Sequence, residues 1–484
     1  MIITKFFELS KEDANAVMLS DPHRTFSRAE VFDRAARTAS LLRQNGVPSH
    51  ARIGISLRDS IEFTIACIGV WYHGACAVPL DFRTPPGRRI ALAADFGLSA
   101  VLEDRATPEL TGSMVVDASW RDARSRTEPA DPVVDPARWA VISLTSGTSG
   151  APQGIQLDQA RLFNRMNLAH KYSAERKIRH LTMLPLSYSG ARNHMIASLL
   201  SGAEVVFRPP LLSTGEFVET VEREAITHAY IVPTIARGLL ERAANRATPL
   251  LPNVERLSVG GASLNPEEKQ RFRAVVSKGF TETYSSGVSG NIARLEGPDV
   301  DDHPDTAGRI NPNVTLEIVD EADRPLPLGE AGRIRVRSPY IANEIIRGEH
   351  RTNSERLSNG WAYPDDLGRI VDGEFLQILG RRSDLILRGG ANVYPAEVER
   401  ALASVPGLHE IAVSGYRDHR LGEEVAAFFV SDDPEVQGLL ERASLSALPP
   451  DKRPRQFVRL KALPRNTNGK VLRRKLREMM EGGE

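Results

Sequence analysis

Residues 144–155 read LTSGTSGAPQGI and continue the apolar run WAVISL at 139–144, whose composition predicts a buried β-strand. Residues 145–154 contain three glycines and four hydroxyl side chains. Glycine lets a backbone curl around an anion with its N–H groups free, and each hydroxyl adds a donor. The segment is therefore predicted to hold phosphate groups, although it lacks the Gly-Lys-Ser/Thr ending of a P-loop. A polar connector is the alternative interpretation of this segment alone.

The overall composition is that of a globular protein. The length of 484 residues exceeds one hydrophobic core, so two or more domains are expected. The 62 basic residues balance 62 acidic ones, and no basic run is long enough to indicate nucleic-acid binding. The most apolar helix candidate, Ile61–Tyr72, is too short to span a bilayer. Cys67 and Cys76 lie in apolar segments, the N-terminus lacks the apolar core of a signal peptide, and a cytoplasmic location is expected.

Hydrophobic periodicity predicts alternating helices and strands, an α/β protein with parallel sheets, over about the first 260 residues. Between 308 and 371 strand patterns dominate, separated by Gly and Pro turns, which favours a small antiparallel barrel or sheet. Beyond about residue 380 the pattern changes to helix, strand, strand, helix, typical of an α+β module. The predicted elements are helices at 26–45, 61–72, 214–224, 234–244, 395–402 and 436–444, and strands at 52–57, 75–80, 139–144, 203–207, 228–232, 256–260, 411–416 and 423–430.

Five further segments combine glycine-rich turns with residues suited to nucleotide chemistry. They are RLSVGGASL (256–264), TYSSGVSGNIA (283–293), GWAYPDDLGRI (360–370), LGRRSDLILRGGANVYPAEVE (379–399) and LPRNTNGKVLRR (463–474). In order and spacing these segments and the 144–155 loop resemble the AMP-forming acyl-CoA synthetase and adenylation-domain superfamily. The resemblance covers nearly the whole chain.

The resemblance implies a large N-terminal domain of two α/β sheets plus a small β-barrel, followed by a small mobile α+β C-terminal domain. We expect the N-terminal domain at residues 1–380 and the C-terminal domain at 381–484. Ser383 occupies the family's hinge position, which is usually Asp or Lys.

The resemblance also assigns roles in nucleotide binding. The loop residues, which would bind the β- and γ-phosphates of ATP, are Thr145, Ser146, Gly147, Thr148, Ser149 and Gly150. Tyr284 would stack on adenine beside the backbone of Gly261 and Ala262, with Ser285 and Ser286 completing this side.

Three charged residues carry the remaining roles that the resemblance implies. Asp366 would accept hydrogen bonds from both ribose hydroxyls, which suits a carboxylate, and Arg381 would reach the ribose from the interdomain linker. Lys470 would bridge the acyl carboxylate and the α-phosphate, and it is the predicted catalytic residue.

The implied activity is ATP-dependent activation of a small carboxylic acid to an acyl-adenylate with release of pyrophosphate. Transfer to a thiol follows, with coenzyme A as the expected acceptor and Mg²⁺ accompanying ATP. A carrier-protein phosphopantetheine arm and an amine remain alternative acceptors, because all three reactions start from the same adenylate.

Two segments depart from the family pattern. The family's Gly-Lys-Pro-Lys-Gly is replaced by residues 150–154, GAPQG, so both phosphate-facing lysines are missing. Val288 stands where the family has the glutamate that helps hold Mg²⁺, so no metal ligand is assignable, and Gly287 replaces a threonine. A degenerate paralogue that binds an adenylate without turnover is therefore an alternative. The presence of Lys470 favours an active enzyme, as do Asp366, Arg381 and Tyr284.

The acyl pocket is predicted from LPLSYSGARNHM at 184–195. Tyr188 occupies the family's aromatic position. Ser189 stands where amino-acid-activating relatives carry an aspartate, so α-amino acids are disfavoured, since a buried ammonium without a counter-charge is costly. With Gly260, Ser286 and Ser289, these residues predict a small or medium pocket with polar corners. The acid itself is left open.

Overall fold

The computed structural model of the chain describes residues 1–117, 120, 132–146, 152–169, 177–209, 213–244, 246–348, 350–351, 355–465 and 471–482. They form three β-sheets flanked by helices, so the predicted mixed α/β class is confirmed. Within these ranges the α-helices are Ile2–Glu12, Arg28–Gln44, Ser60–His73, Pro86–Asp95, Gln159–Ala169, Ser189–Leu200, Thr214–Arg223, Pro233–Arg242, Pro266–Val275, Asp299–Asp302, Pro395–Leu402, Val436–Ala447 and Arg473–Glu481.

The first sheet carries the strand that precedes the glycine-rich loop. Its strands lie in the spatial order His350–Arg351, Glu344–Arg347, Pro152–Asp158, Trp139–Ser146, Cys76–Pro79, Arg52–Ser56, Leu98–Glu103 and Ser113–Val115. The last five are mutually parallel, and Trp139–Ser146 pairs antiparallel with Pro152–Asp158. This pairing continues to Ser146 opposite Pro152, so the predicted strand is confirmed and the two strands end at the loop segment.

The second sheet begins with the antiparallel edge strand Thr25–Ser27, continues with parallel strands from Val17–Ser20 to Phe280–Ser286, and is antiparallel beyond them. Its order is Thr25–Ser27, Val17–Ser20, Glu204–Phe207, Arg179–Thr182, His228–Ile231, Arg256–Val259, Phe280–Ser286, Gly290–Glu296, Arg309–Ile310, Phe375–Arg381, Asp366–Val371, Gly332–Arg337, Trp361–Ala362 and Leu357–Ser358, with Thr315–Val319 pairing beside Gly332–Arg337. The antiparallel strands predicted between 308 and 371 extend this sheet. The arrangement brings the ends of Arg256–Val259 and Phe280–Ser286 to one edge.

The third sheet contains the strands that follow residue 381. Its order is Ala391–Val393, Ile386–Arg388, Gly422–Val430 and Glu410–Asp418, with Gln456–Arg459 parallel to Gly422–Val430. Val398 from the helix Pro395–Leu402 packs with Val425 and Phe429 in a core of its own. The change from the second to the third sheet falls between Arg381 and Ile386, beside the predicted hinge. The domain division at 380/381 and its mobility stay predictions.

The helix Ser60–His73 is very apolar because it is buried in the core of the N-terminal part. All of its residues after Ser60 are buried. Asp59 caps its N-terminus and Gly74, with φ of 85°, ends it. A Cβ at Gly69 would lie 2.6 Å from Thr38, so the glycine lets this helix contact Arg28–Gln44 closely. In the described ranges no helix has both the length and the apolar character needed to cross a membrane.

Candidate active site

A cavity of about 710 Å³ opens between the edges of the first two sheets and the residues that follow the hinge position. It brings together most of the predicted site residues, which are far apart in the sequence. Those that line it are Thr145, Tyr188, Ser189, Gly260, Gly261, Ala262, Tyr284, Ser285, Ser286, Asp366 and Arg381. A cavity of this volume with convergent polar groups is typical of a small-molecule site.

Tyr284 and Asp366 form the polar centre of the cavity. The hydroxyl of Tyr284 donates to Oδ2 of Asp366 at 2.5 Å, and Nε of Arg381 lies 3.7 Å from Oδ1. Asp366 and Arg381 face each other across paired strands. Burial, and then the Asp366 charge and hydrogen bond, raise the pKa of Tyr284 well above its usual value, so the phenol stays neutral. A carboxylate has about four acceptor positions, which leaves Asp366 able to accept two further hydroxyls.

The loop after strand Arg256–Val259 is anchored by a buried carboxylate that sequence reasoning missed. Glu282 accepts hydrogen bonds from the Ser263 hydroxyl at 2.7 Å and from the Leu264 N–H at 3.1 Å. Nζ of Lys269 lies 2.9 Å from the same carboxylate, and both side chains are buried. The Glu282–Lys269 pair therefore orients the backbone around Gly261, which has φ of 93°.

The turn after Tyr284 explains one departure from the family pattern. Ser286 lines the cavity, whereas Ser289 is buried behind it with its hydroxyl 2.6 Å from that of Ser286. A Cβ at Gly287 would contact Cδ1 of Ile155 too closely, so a threonine at this position requires the end of the Ile155 side chain to shift. Ser289 contacts the cavity-lining Ser286 and is not itself among the lining residues, so its place in the substrate pocket stays a prediction.

Val288 is fully buried among apolar residues, and its carbonyl accepts a hydrogen bond from the N–H of Ala342 at 2.7 Å. The position that corresponds to the family glutamate thus belongs to the core. Among the residues that the structure describes, no group of three or more His, Cys, Asp or Glu is arranged to hold a metal ion. The described residues therefore do not form a carboxylate cage for Mg²⁺.

Arg165 fixes the backbone of the same turn. It is buried and donates to the carbonyl of Gly287 at 3.0 Å and to that of Tyr340 at 2.8 Å. Burial lowers the pKa of Arg165 to about 10, so the guanidinium remains charged at neutral pH. Gly290 allows this packing, because a Cβ there would lie 2.9 Å from the ring of Tyr340.

The acyl side of the cavity is closed by aromatic residues. The hydroxyls of Tyr188 and Tyr230 are 3.3 Å apart, and the His194 ring stacks on Tyr230 with centroids 4.4 Å apart. A Cβ at Gly190 or at Gly260 would each lie 2.7 Å from the Tyr230 hydroxyl. Sequence reasoning missed Tyr230 and His194. The available signal for Tyr230 was a tyrosine within the apolar strand His228–Ile231.

The C-terminal part contributes the other wall of the cavity. Lys470 lies outside the described residues, as do Gly147, Thr148, Ser149 and Gly150. Arg465 and Val471, on either side of the Lys470 segment, both line the cavity. Ser383 lies in the exposed turn Arg382–Asp384 directly after Arg381.

Ion pairs line both sides of the cavity. Arg237 pairs with Glu268 at 2.6 Å, and Arg465 pairs with Glu410 at 3.0 Å. Burial opposes the charged form of Arg237, but the hydrogen bond and charge of Glu268 and, more weakly, the charge of Glu410 raise the pKa of Arg237. Glu410 follows the hinge position and Arg237 precedes it, so these two charges interact across the cavity that both residues line.

Comparison with known proteins gives matches over nearly the whole chain. The family model described as AMP-binding enzyme matches residues 6–345, and the model described as AMP-binding enzyme C-terminal domain matches residues 397–470. The chain is 30% identical to an indoleacetate–CoA ligase of Aromatoleum aromaticum, covering 95% of this chain and 94% of the relative.

Two solved structures of o-succinylbenzoate coenzyme A synthetase from Bacillus subtilis are similar in fold. One contains the acyl-adenylate intermediate, with a TM-score of 0.85, 25% identity and coverage of 98% of this chain and 97% of that chain. The other contains ATP and a magnesium ion, with a TM-score of 0.84, 26% identity and coverage of 98% of each chain.

Proposed function

This chain belongs to the family of AMP-binding enzymes, and we propose that it activates a carboxylic acid with MgATP and transfers the acyl group to coenzyme A. It is an AMP-forming acid–thiol ligase. The observation that carries the proposal is the hydrogen-bonded pair of Tyr284 and Asp366 in a cavity shared with Gly261 and Ala262. These residues offer a ring face, a carboxylate and free backbone to a nucleoside.

In the first reaction a carboxylate oxygen of the acid attacks the α-phosphorus of ATP. The new O–P bond forms, the bond from that phosphorus to the bridging oxygen breaks, and pyrophosphate leaves. Asp366 and Tyr284 hold the nucleoside, and Lys470 offsets the charge that develops on the phosphate oxygens. Water has to be excluded, because the acyl-adenylate is a reactive mixed anhydride.

In the second reaction the sulfur of coenzyme A attacks the acyl carbon. The C–S bond forms, the bond from the acyl carbon to the phosphate oxygen breaks, and AMP leaves while the thiol proton passes to solvent. A thiol with a pKa of about 8.5 is partly ionised at neutral pH, so no dedicated base is needed. A rotation of residues 381–484 about Ser383 between the two reactions is part of the proposal.

The Mg²⁺ ion enters this reaction as part of the substrate. Phosphate oxygens and water would hold it together with hydroxyls of the 145–150 segment, since Mg²⁺ commonly keeps several waters.

Two further observations support other parts of the proposal. Ser189 offers no counter-charge to an α-ammonium, which disfavours amino acids. The buried, free thiols of Cys67 and Cys76 suit a cytoplasmic location.

The experiment is to incubate the protein with ATP, hydroxylamine and a panel of carboxylic acids. Hydroxamate and pyrophosphate should appear together for at least one acid. Addition of coenzyme A, a phosphopantetheinylated carrier protein or an amine then separates the possible acceptors, and coenzyme A is expected to accelerate turnover most. Release of ADP and inorganic phosphate would contradict the mechanism. Binding of AMP without turnover of any acid would identify a non-catalytic adenylate-binding protein.

A further inference from the structure

Tyr230 lies on the side of the cavity that is expected to hold the acid. There is space for its side chain because two neighbouring positions are glycines. Gly190 lies in the helix Ser189–Leu200, and Gly260 follows the strand Arg256–Val259. A Cβ built on either glycine would lie 2.7 Å from the hydroxyl oxygen of Tyr230. Three separate elements therefore meet at the tip of one side chain.

The packing around Tyr230 restricts the movement of its side chain. Only 7% of Tyr230 is exposed, its ring stacks on His194, and its hydroxyl lies against that of Tyr188. Backbone at Gly190 and Gly260 bounds the hydroxyl end, and backbone yields less than the end of a flexible side chain. Tyr230 and Tyr188 thus form a fixed wall, which we call the phenol wall.

Tyr230, the buried part of the phenol wall, is a neutral phenol. Burial, together with Tyr188, raises the pKa of Tyr230 well above its usual value. Among the cations that line the cavity, Arg237 is paired with Glu268 and Lys269 with Glu282, whereas Arg165 contacts backbone carbonyls. A second carboxylate that reached the phenol wall would lose its hydration there and meet the neutral phenol of Tyr230.

We infer that the phenol wall ends the acyl pocket and restricts the enzyme to short, uncharged monocarboxylic acids, aryl or aliphatic. The inference rests on the proposed function and names the substrate class of the same site. Tyr230 is the residue that determines the length limit, because its ring fills the space into which a longer acyl group would extend. Tyr188 supports that ring from the side.

The test measures pyrophosphate release from ATP for straight-chain acids from acetate to dodecanoate, for benzoate and phenylacetate, and for malonate and succinate. The wild-type protein is compared with Tyr230→Ala, Tyr230→Leu and Tyr230→Phe. Tyr416→Ala is the matched control, because it removes a tyrosine ring outside the cavity lining. Thermal melting confirms that each variant is folded, and Tyr230→Leu keeps the test valid if the alanine variant is not.

The wild-type protein should favour the short acids and benzoate over dodecanoate by at least about tenfold in kcat/KM, and over the dicarboxylates as well. Tyr230→Ala and Tyr230→Leu should raise kcat/KM for the long acids by about tenfold or more, with the KM for ATP unchanged. Tyr230→Phe retains the ring and should retain the length limit, and Tyr416→Ala should keep the wild-type profile.

Efficient use of dodecanoate by the wild-type protein would overturn the inference. So would an unchanged chain-length profile in folded Tyr230→Ala and Tyr230→Leu, or a preference for dicarboxylates. Each of these results leaves the proposed function intact, because an acid is still activated. Failure of every acid with every variant would instead overturn the proposed function, and this inference with it.

Discussion

Tyr284 donates a hydrogen bond of 2.5 Å to the carboxylate of Asp366, although 82 residues separate them in the chain. The bond joins the strand Phe280–Ser286, the last of the parallel strands in the second sheet, to Asp366–Val371 in the antiparallel extension. It therefore holds an aromatic ring and the predicted ribose acceptor at a defined separation. Such pre-organisation reduces the ordering cost of binding.

Replacement of Asp366 should weaken nucleotide binding more than replacement of the Tyr284 hydroxyl. Asp366→Asn removes the charge that is predicted to accept the ribose hydroxyls. The loss of binding free energy should be about 1.5–3 kcal/mol, which raises the Kd for AMP about 10–100-fold. Tyr284→Phe keeps the ring and loses one hydrogen bond, so we expect at most about 1 kcal/mol. Calorimetry with AMP measures both. Equal affinities of Asp366→Asn and the wild-type protein would show that Asp366 is not the ribose acceptor.

Lys470→Ala should abolish formation of the adenylate far more than formation of the thioester from a preformed acyl-adenylate. The lysine acts when charge develops on phosphate, and the two reactions use different domain orientations. Pyrophosphate exchange reports the first reaction and thioester formation the second. Lys461→Ala, an exposed lysine on the same side of the hinge, is the control and should affect neither reaction. Equal losses in both reactions would contradict the assignment.

The charge of Glu410, which follows the hinge position, acts on Arg237, which precedes it, and this attraction should favour the arrangement of the two parts that the structure shows. Glu410→Gln removes one charge from this network and should slow adenylate formation severalfold, since partly exposed pairs contribute up to about 1 kcal/mol. Thioester formation should not slow, because it uses the other orientation. Glu435→Gln, which removes an exposed charge elsewhere, is the control. A uniform loss in both reactions would indicate general destabilisation.

Introduction of the family glutamate at Val288 should destabilise the protein without improving the use of ATP. The side chain is fully buried, so Val288→Glu buries a carboxylate at a cost on the order of 3 kcal/mol. Val288→Thr keeps the shape, adds one hydroxyl and should cost less. Denaturant unfolding gives the stabilities, and steady-state kinetics gives the KM for MgATP. A stable Val288→Glu protein with a lower KM would show that the side chain reaches the metal.

Stability should fall as the pH is lowered through the range in which buried histidines stay neutral. His180 and His228 lie opposite each other on neighbouring strands. Burial lowers the pKa of His180 from 6.5 to about 3 and that of His228 to about 4. Below about pH 6.5 the unfolded chain binds protons that the folded chain does not, so each histidine removes about 1.4 kcal/mol per pH unit until its folded pKa is reached.

The measurement is the free energy of unfolding in denaturant at a series of pH values between 4 and 7. His228→Gln should reduce the slope by about one proton, whereas replacement of the exposed His419 should leave the slope unchanged. A slope that does not change in His228→Gln would mean that this ring is protonated in the folded protein.

The local elements were predictable from the sequence because their signals are local. The periodicity at 395–402 predicts a helix, and the structure has Pro395–Leu402. The apolar run at 139–144 predicts a strand, and the structure has Trp139–Ser146. The helix Ile2–Glu12 is not among the predicted elements. Its four buried side chains find apolar contacts only when the N-terminal helix packs against the rest of the fold.

Short motifs of fixed spacing indicate the family and the order of the elements without any coordinates, and they predict which residues face the nucleotide. Which side chains share a surface follows only from the packing of the folded chain. The Glu282–Lys269 pair, the burial of Val288 and the place of Tyr230 between Gly190 and Gly260 each depend on elements that are distant in the chain. A side chain's environment arises from packing between such elements, and no local period encodes it.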